Sequence, residues 1–249
     1  MKTDVVYGLP YVELRAFHGS SAVKEEPLAR LKRWKDMGEL RLGRYGYNAS
    51  QHTLNQLWEY TYLQTYGAKL GIPPHLAAVE NLICEHLPEE EAAEFAVDFL
   101  EKTEVGAKLA YVFPRLGVWM LQNSQFGVEP TVLHEPSRRI IADLGSVCEE
   151  LETFSGEELH ARLETIKGNA VRCRDRHGSD AHDMPADYLA YRACDQTRSL
   201  CRLMQSNEHV HDASVFLHWM HEYAKPYPGW IPTVRDKLME LVAEAPIPE

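Results

Sequence analysis

Apolar residues recur along most of this chain at three- and four-residue spacing, which is the period of an amphipathic α-helix. The stretch around Ile140, Leu144, Val147 and Leu151 shows the pattern clearly. Ten helices are predicted, at about 26–37, 51–69, 74–87, 88–102, 109–122, 136–153, 155–173, 186–204, 207–224 and 232–243. We therefore expect an all-α protein, an irregular multi-helix bundle of about 8–10 helices.

Helix boundary signals support several of these predictions. Pro27, Pro74 and Pro136 each stand at a predicted first turn, where the missing N–H has no helical partner. Gly38 is placed to end the first helix. Ser155 and Glu158 have the S-x-x-E spacing of a capping box, so a helix should begin between them.

The N-terminal residues differ from the rest in pattern. Gly8 and Pro10 interrupt short β-prone runs there, so residues 1–24 are predicted to form a short non-helical extension. Residues 25–249 contain no stretch with the composition of a linker. We expect them to form a single helical domain.

The charge balance bears on the choice of partner. The formal net charge is −11, which repels phosphates and disfavours nucleic-acid binding overall. One segment runs against this balance, because basic residues there alternate with aromatic ones that can stack on bases. Its basic members are Arg30, Lys32, Arg33, Lys35, Arg41 and Arg44. A solvated helix face and a site for a small anion are the alternatives for this segment.

Cysteine usage and hydropathy indicate the setting. The chain has five cysteines at wide spacing, and Cys194 and Cys201 fall on one predicted apolar face, as reduced core thiols would. The first residues lack the apolar run of a signal peptide. No run reaches the ~18 apolar residues of a membrane span. The expectation is an acidic cytoplasmic protein without a membrane span.

Histidines form a stripe on the predicted 207–224 helix. His211, His218 and His221 lie on one side of it, roughly opposite the apolar residues. Three interpretations remain open for this histidine-rich helix. The stripe is a solvated or interface face, a set of metal ligands, or a patch that titrates near neutral pH.

Residues 172–183 are predicted to form a loop with unusual chemical density. Arginines and aspartates alternate there, which favours an exposed ion-pair network at a helix C-terminus. The segment also holds ligand types for zinc, manganese or iron, namely His177, Asp180, His182 and Asp183. These residues and the histidine stripe together are candidates for one metal or acid–base site.

The same segment carries a pattern found in a known family. Arg172-x4-His177 and Arg176-x5-His182 resemble the Arg-x4–6-His motif of HEPN-type ribonucleases, which are helical proteins. The resemblance implies that Arg172, His177 and His182 would act on an RNA phosphate.

The function favoured at this point is a binding or regulatory module that acts through protein–protein contact. Composition and helix starts are explained without chemistry, and the zinc-protease, P-loop, Rossmann and G-x-S-x-G motifs are absent from the sequence. No cofactor is expected, and a divalent metal is the alternative. The competing functions are a helical enzyme, with its site between residues 172–183 and the His211–His221 stripe, and the HEPN-like ribonuclease. The oligomeric state is left open.

Overall fold

The described part of the chain is mainly helical. The computed structural model describes residues 14–40, 64–151, 153–177, 185–205 and 210–248. These ranges contain ten α-helices and no β-strand, which confirms the prediction of an all-α, multi-helix protein. The helices are α1 (Ser21–Asp36), α2 (Gln64–Leu70), α3 (Pro74–His86), α4 (Glu89–Lys102), α5 (Val112–Gln122), α6 (Glu135–Glu149), α7 (Gly156–His177), α8 (Pro185–Gln205), α9 (Val210–Ala224) and α10 (Trp230–Ala243).

Contacts between residues divide the chain into two compact units. Unit 1 comprises the described residues of Met1–Val112 together with Ile231–Glu249. Unit 2 is formed by Phe113–Trp230. The chain passes from unit 1 to unit 2 at the start of α5 and returns to unit 1 at the start of α10. That residues 25–249 form one domain stays a prediction.

Helix α3 forms the interior of unit 1. Every residue from Pro74 to Cys84 is buried, including His75 and Glu80. Helix α3 contacts α2 and α4, and α1 contacts α4. A helix buried on all sides needs apolar residues around its whole circumference, and its sequence has them between the few polar positions. Those polar positions are therefore enclosed in the core.

The first helix begins earlier than predicted. Helix α1 starts at Ser21, so residues 21–24 of the expected non-helical extension are helical and Pro27 lies inside the helix. The reason is a tertiary contact, because Lys24 Nζ donates to the carbonyl oxygens of Glu101 and Thr103, both at 2.7 Å. This amine binds carbonyls at the C-terminal end of α4, where cations are favoured, and so holds the first turn of α1. Residues 1–13 of the predicted extension lie outside the described residues.

Unit 2 is built around its two longest helices, α7 and α8, which pack along each other. Helix α6 contacts both of them, and α9 contacts α8. The predicted capping box starts α7, since Ser155 N donates to Glu158 Oε2 at 3.0 Å and Glu158 N donates to Ser155 Oγ at 3.3 Å. A stripe of small and apolar residues buries one face of α7; it consists of Leu163, Ile166, Ala170 and Cys173.

The predicted 172–183 loop is wrong in its first half. Helix α7 continues to His177, one turn beyond the predicted end at Cys173, so residues 172–177 are helical. Arginine is a good helix former, and the arginines of the last turn, Arg174 and Arg176, favour the negative end of the helix. The second half of the loop, residues 178–183, lies outside the described residues.

Candidate metal site

Three side chains with metal-ligand atoms meet where α6 begins and α7 ends. Cys173 and His177 are four residues apart on α7, so they lie one helical turn apart on the same face. His134 is the residue directly before α6, in extended conformation with φ −78° and ψ 106°. Because α6 packs against α7, this histidine is brought to the last turns of α7.

The distances between the three ligand atoms are short. His134 Nδ1 lies 3.3 Å from His177 Nε2 and 3.7 Å from Cys173 Sγ. All three atoms lie within 4.8 Å of one another. The two imidazole rings meet edge to face, with centroids 4.4 Å apart and an interplanar angle of 87°. Among the residues that the structure describes, His134, Cys173 and His177 form the group of His, Cys, Asp or Glu side chains that lie close enough together to hold one ion.

More polar atoms surround His134 Nδ1 than hydrogen bonding alone would use. Besides His177 and Cys173, the Ser137 hydroxyl lies 2.9 Å from this nitrogen. An imidazole nitrogen carries either one hydrogen or one lone pair, so it makes one good hydrogen bond. Of these three neighbours, one can form a good hydrogen bond with this nitrogen.

The burial of the cluster is graded. Cys173 is buried, whereas His134 and His177 are half-buried. Behind Cys173 lies Ser137, which is fully buried, with its Oγ 3.3 Å from Cys173 Sγ. Cys194 of α8 donates its S–H to the same Ser137 oxygen at 3.3 Å. The cluster thus has an outer side formed by two imidazoles and an inner side of buried hydroxyl and thiol groups.

Cys194 remains a thiol at neutral pH. Burial raises its pKa to about 12, with a smaller opposing effect from the Ser137 hydrogen bond. A buried thiol with this pKa keeps its hydrogen and serves as a donor. Cys194 therefore contributes a hydrogen bond to the cluster rather than a negative charge.

Two of the arginines near the end of α7, Arg172 and Arg174, are engaged with other partners. Arg172 donates to Asn169 Oδ1 at 2.6 Å. Arg174 forms ion pairs with Asp175 at 2.8 Å and with Asp195 at 3.5 Å. Part of the predicted ion-pair network at this helix end is therefore present among the described residues. Arg172 and His177, five residues apart, point about 140° away from each other around α7.

The other residues of the predicted metal or acid–base site are placed as follows. His218 is exposed on α9. His221 is half-buried, with its ring 5.4 Å from the Trp230 ring and its Nε2 4.0 Å from Glu222. Neither joins a group of three ligand residues in the part of the chain that the structure describes. The predictions for Asp180, His182, Asp183 and the His211 side chain concern positions outside the described residues.

His134 and Ser137 were not singled out by the sequence analysis, and Cys173 was placed in the loop without a ligand role. One local signal was available, since Cys173-x3-His177 puts two ligands on one helical face. His134 gave no such signal, because it is separated from Cys173 by 39 positions and meets it only through the packing of α6 on α7.

The predicted basic segment faces carboxylates. Lys32 pairs with Glu101 at 2.7 Å, Lys35 with Glu94 at 3.8 Å, and Arg30 with Glu26 at 2.7 Å. Helix α4 supplies two of these three partners, so the segment neutralises α4 as well as itself. Arg41 and Arg44 lie outside the described residues.

Comparisons of this chain with protein-family models, with curated proteins and with solved structures found no match. Among the described helices, none has both the length and the apolar character that crossing a membrane requires.

Proposed function

We propose that this chain is a zinc-binding helical protein in which His134, Cys173 and His177 hold one Zn²⁺ ion. The observation that carries the proposal is the pair of distances from His134 Nδ1, 3.3 Å to His177 Nε2 and 3.7 Å to Cys173 Sγ. Typical bonds of ~2.0–2.1 Å to nitrogen and ~2.3 Å to sulfur, at tetrahedral angles, separate two nitrogens by about 3.3 Å and a nitrogen from a sulfur by about 3.6 Å. The two pairs that include His134 Nδ1 already stand at these separations, and the third pair, Cys173 Sγ and His177 Nε2, lies within 4.8 Å.

The donor set selects the type of ion. Two imidazoles and one thiolate suit zinc, whereas manganese, magnesium and calcium prefer oxygen ligands. Copper binds the same donors, usually more tightly, but Cu²⁺ prefers square-planar geometry, whereas the separations at His134 Nδ1 fit a tetrahedral ion. Binding displaces the thiol hydrogen of Cys173, so the ion meets two neutral imidazoles and one thiolate.

The ion would join the start of α6 to the last turns of α7. Three protein ligands leave a fourth position on a tetrahedral ion for water or another group, which is the ligand count of catalytic zinc sites. The open fourth position supports the alternative function of a helical enzyme. Its site would include His177, as predicted, but His134 and Cys173 would take the place of the His211–His221 stripe.

The experiment is a chelator-buffered zinc titration of protein purified without an affinity tag. We expect one Zn²⁺ per chain, and a fall in affinity of more than about 100-fold for Cys173→Ala or His177→Ala, since even indirect supports of a metal site are worth ~10–100-fold. His218→Ala is the matched control, because it removes an exposed imidazole outside the cluster. Wild-type protein without bound zinc, or equal losses in the control, would overturn the proposal.

Protein–protein contact and the HEPN-like activity stay predictions. The large apolar residues exposed in the described ranges are Met37, Leu133, Tyr227 and Ile247, which are far apart in sequence. Leu133, 81% exposed, directly precedes the ligand His134. An RNA-cleavage assay with Arg172→Ala and His177→Ala tests the ribonuclease function.

A further inference from the structure

Ser137 occupies a position that the zinc proposal leaves without a role. It lies in the first turn of α6, is fully buried, and its hydroxyl oxygen touches three polar atoms. His134 Nδ1 is 2.9 Å away, Cys173 Sγ is 3.3 Å away, and Cys194 Sγ donates to it at 3.3 Å. A buried hydroxyl with three such neighbours has few ways to place its single hydrogen.

The hydrogens of the neighbouring groups limit which atom can accept the hydrogen of the Ser137 hydroxyl. Cys194 Sγ donates to Ser137 Oγ, so the serine oxygen is the acceptor in that contact. The Ser137 hydrogen then has two possible acceptors, His134 Nδ1 and Cys173 Sγ. A metal ion bound to His134 Nδ1 takes up the lone pair of that nitrogen. In the loaded site the hydroxyl hydrogen therefore has one acceptor left, the Cys173 sulfur.

We infer that Ser137 is a positioning residue of the metal site, which donates a hydrogen bond to the Cys173 thiolate when the ion is bound. This inference rests on the proposed zinc site. The hydrogen bond fixes the direction of the sulfur lone pairs and withdraws electron density from the thiolate. Groups that orient metal ligands in this way raise metal affinity by ~10–100-fold. Cys194 in turn holds the serine oxygen in place from α8.

The test compares Ser137→Ala, Ser137→Thr and Ser146→Ala by zinc affinity and by the absorption of the Co²⁺-loaded protein. Ser146 is the matched control, because it lies on α6 and is exposed, with its hydroxyl bonded to the Ala142 carbonyl. We expect Ser137→Ala to lower zinc affinity by ~10–100-fold. It should also move the thiolate-to-Co²⁺ charge-transfer band to lower energy, because a thiolate without its hydrogen bond gives up an electron more readily. Ser137→Thr keeps the hydroxyl and should restore the band position, and the control should match wild type.

The results for wild type and for Ser137→Ala distinguish a failure of the zinc site from a failure of the Ser137 hydrogen bond. If wild type binds neither Zn²⁺ nor Co²⁺, both fail. If wild type binds and Ser137→Ala leaves the band unmoved, the hydrogen bond to the thiolate is absent and Ser137 has at most a packing role. The extra methyl group of Thr is placed in a fully buried site. If that variant does not fold, the band of the smaller Ala variant decides alone.

Discussion

The buried carboxyl of Glu80 should make unit 1 less stable as the pH rises through neutrality. Glu80 is fully buried on α3, where Cys84 Sγ donates to its Oε1 at 3.2 Å. Burial raises its pKa from the ordinary 4.5 to about 7; the Cys84 and Tyr66 hydrogen bonds oppose that rise, and the Glu85 carboxylate adds to it. The folded state therefore keeps a proton that the unfolded chain releases.

The sign and size follow from proton linkage. Below pH 4.5 the carboxyl is protonated in both states and has no effect on the pH dependence. Between pH 4.5 and 7 the unfolded chain releases its proton, so the free energy of unfolding falls as pH rises. The difference of about 2.5 pKa units corresponds to a total loss of about 3 kcal/mol, complete once the pH is well above 7.

The test variant is Glu80→Gln, because glutamine keeps the shape of the glutamate side chain and cannot ionise. Hydrogen exchange of the α3 amides measures the local opening free energy, and comparing variant with wild type at each pH cancels the intrinsic pH dependence of exchange. We expect the stability of the variant relative to wild type to increase by about 3 kcal/mol from pH 4.5 to 8. A stability difference between variant and wild type that does not change over this pH range would contradict a raised pKa for Glu80. Glu158→Gln, followed at the α7 amides, is the control; hydrogen bonds from Ser155 lower the pKa of that exposed carboxyl below 4.5, so its relative stability should stay nearly flat from pH 4.5 to 8.

Three further outcomes are expected in unit 2. Gly117→Ala should lower the free energy of unfolding in urea by about 1–3 kcal/mol, although alanine has the better helix propensity, because the added Cβ would lie 2.6 Å from Leu200 Cδ2. The double variant with Leu200→Val should lose less stability than the sum of the losses in the two single variants. Ser155→Ala should cost about 1 kcal/mol by removing the capping box, and an Ala variant as stable as wild type would contradict the assigned cap. Free Zn²⁺ at about 100 times its Kd should add about 2.7 kcal/mol to the stability of wild type and raise its Tm, and a comparable rise in His177→Ala would place the ion elsewhere.

The helices could be predicted because their signals are local. Pro74 and the Ser155–Glu158 pair start helices where expected, and Gly38 follows α1 with a φ of +67° that suits glycine. The boundary errors at the start of α1 and the end of α7 have non-local or cumulative causes. Lys24 fixes the first turn of α1 by binding carbonyls of residues 101 and 103, and the last turn of α7 continues through arginines that were taken for loop residues.

The candidate site could be predicted only in part. His177 was identified as a possible ligand from its residue type and its neighbours in sequence, but its partners come from elsewhere in the chain. His134 reaches it because α6 packs against α7, and hydrophobic periodicity does not specify which helices pack together. Glu80 illustrates the same limit, since only the packing around α3 shows that this carboxyl is buried.

The most direct test of the central claim is X-ray absorption at the zinc edge of the zinc-loaded protein. For an ion held by His134, Cys173 and His177, we expect one sulfur at ~2.3 Å and at least two imidazole nitrogens at ~2.0–2.1 Å. The sulfur contribution should disappear in Cys173→Ala and persist in Cys194→Ala, because Cys194 donates to Ser137 and does not ligate. A shell of nitrogen and oxygen alone in wild type, or a sulfur that survives the loss of Cys173, would contradict it.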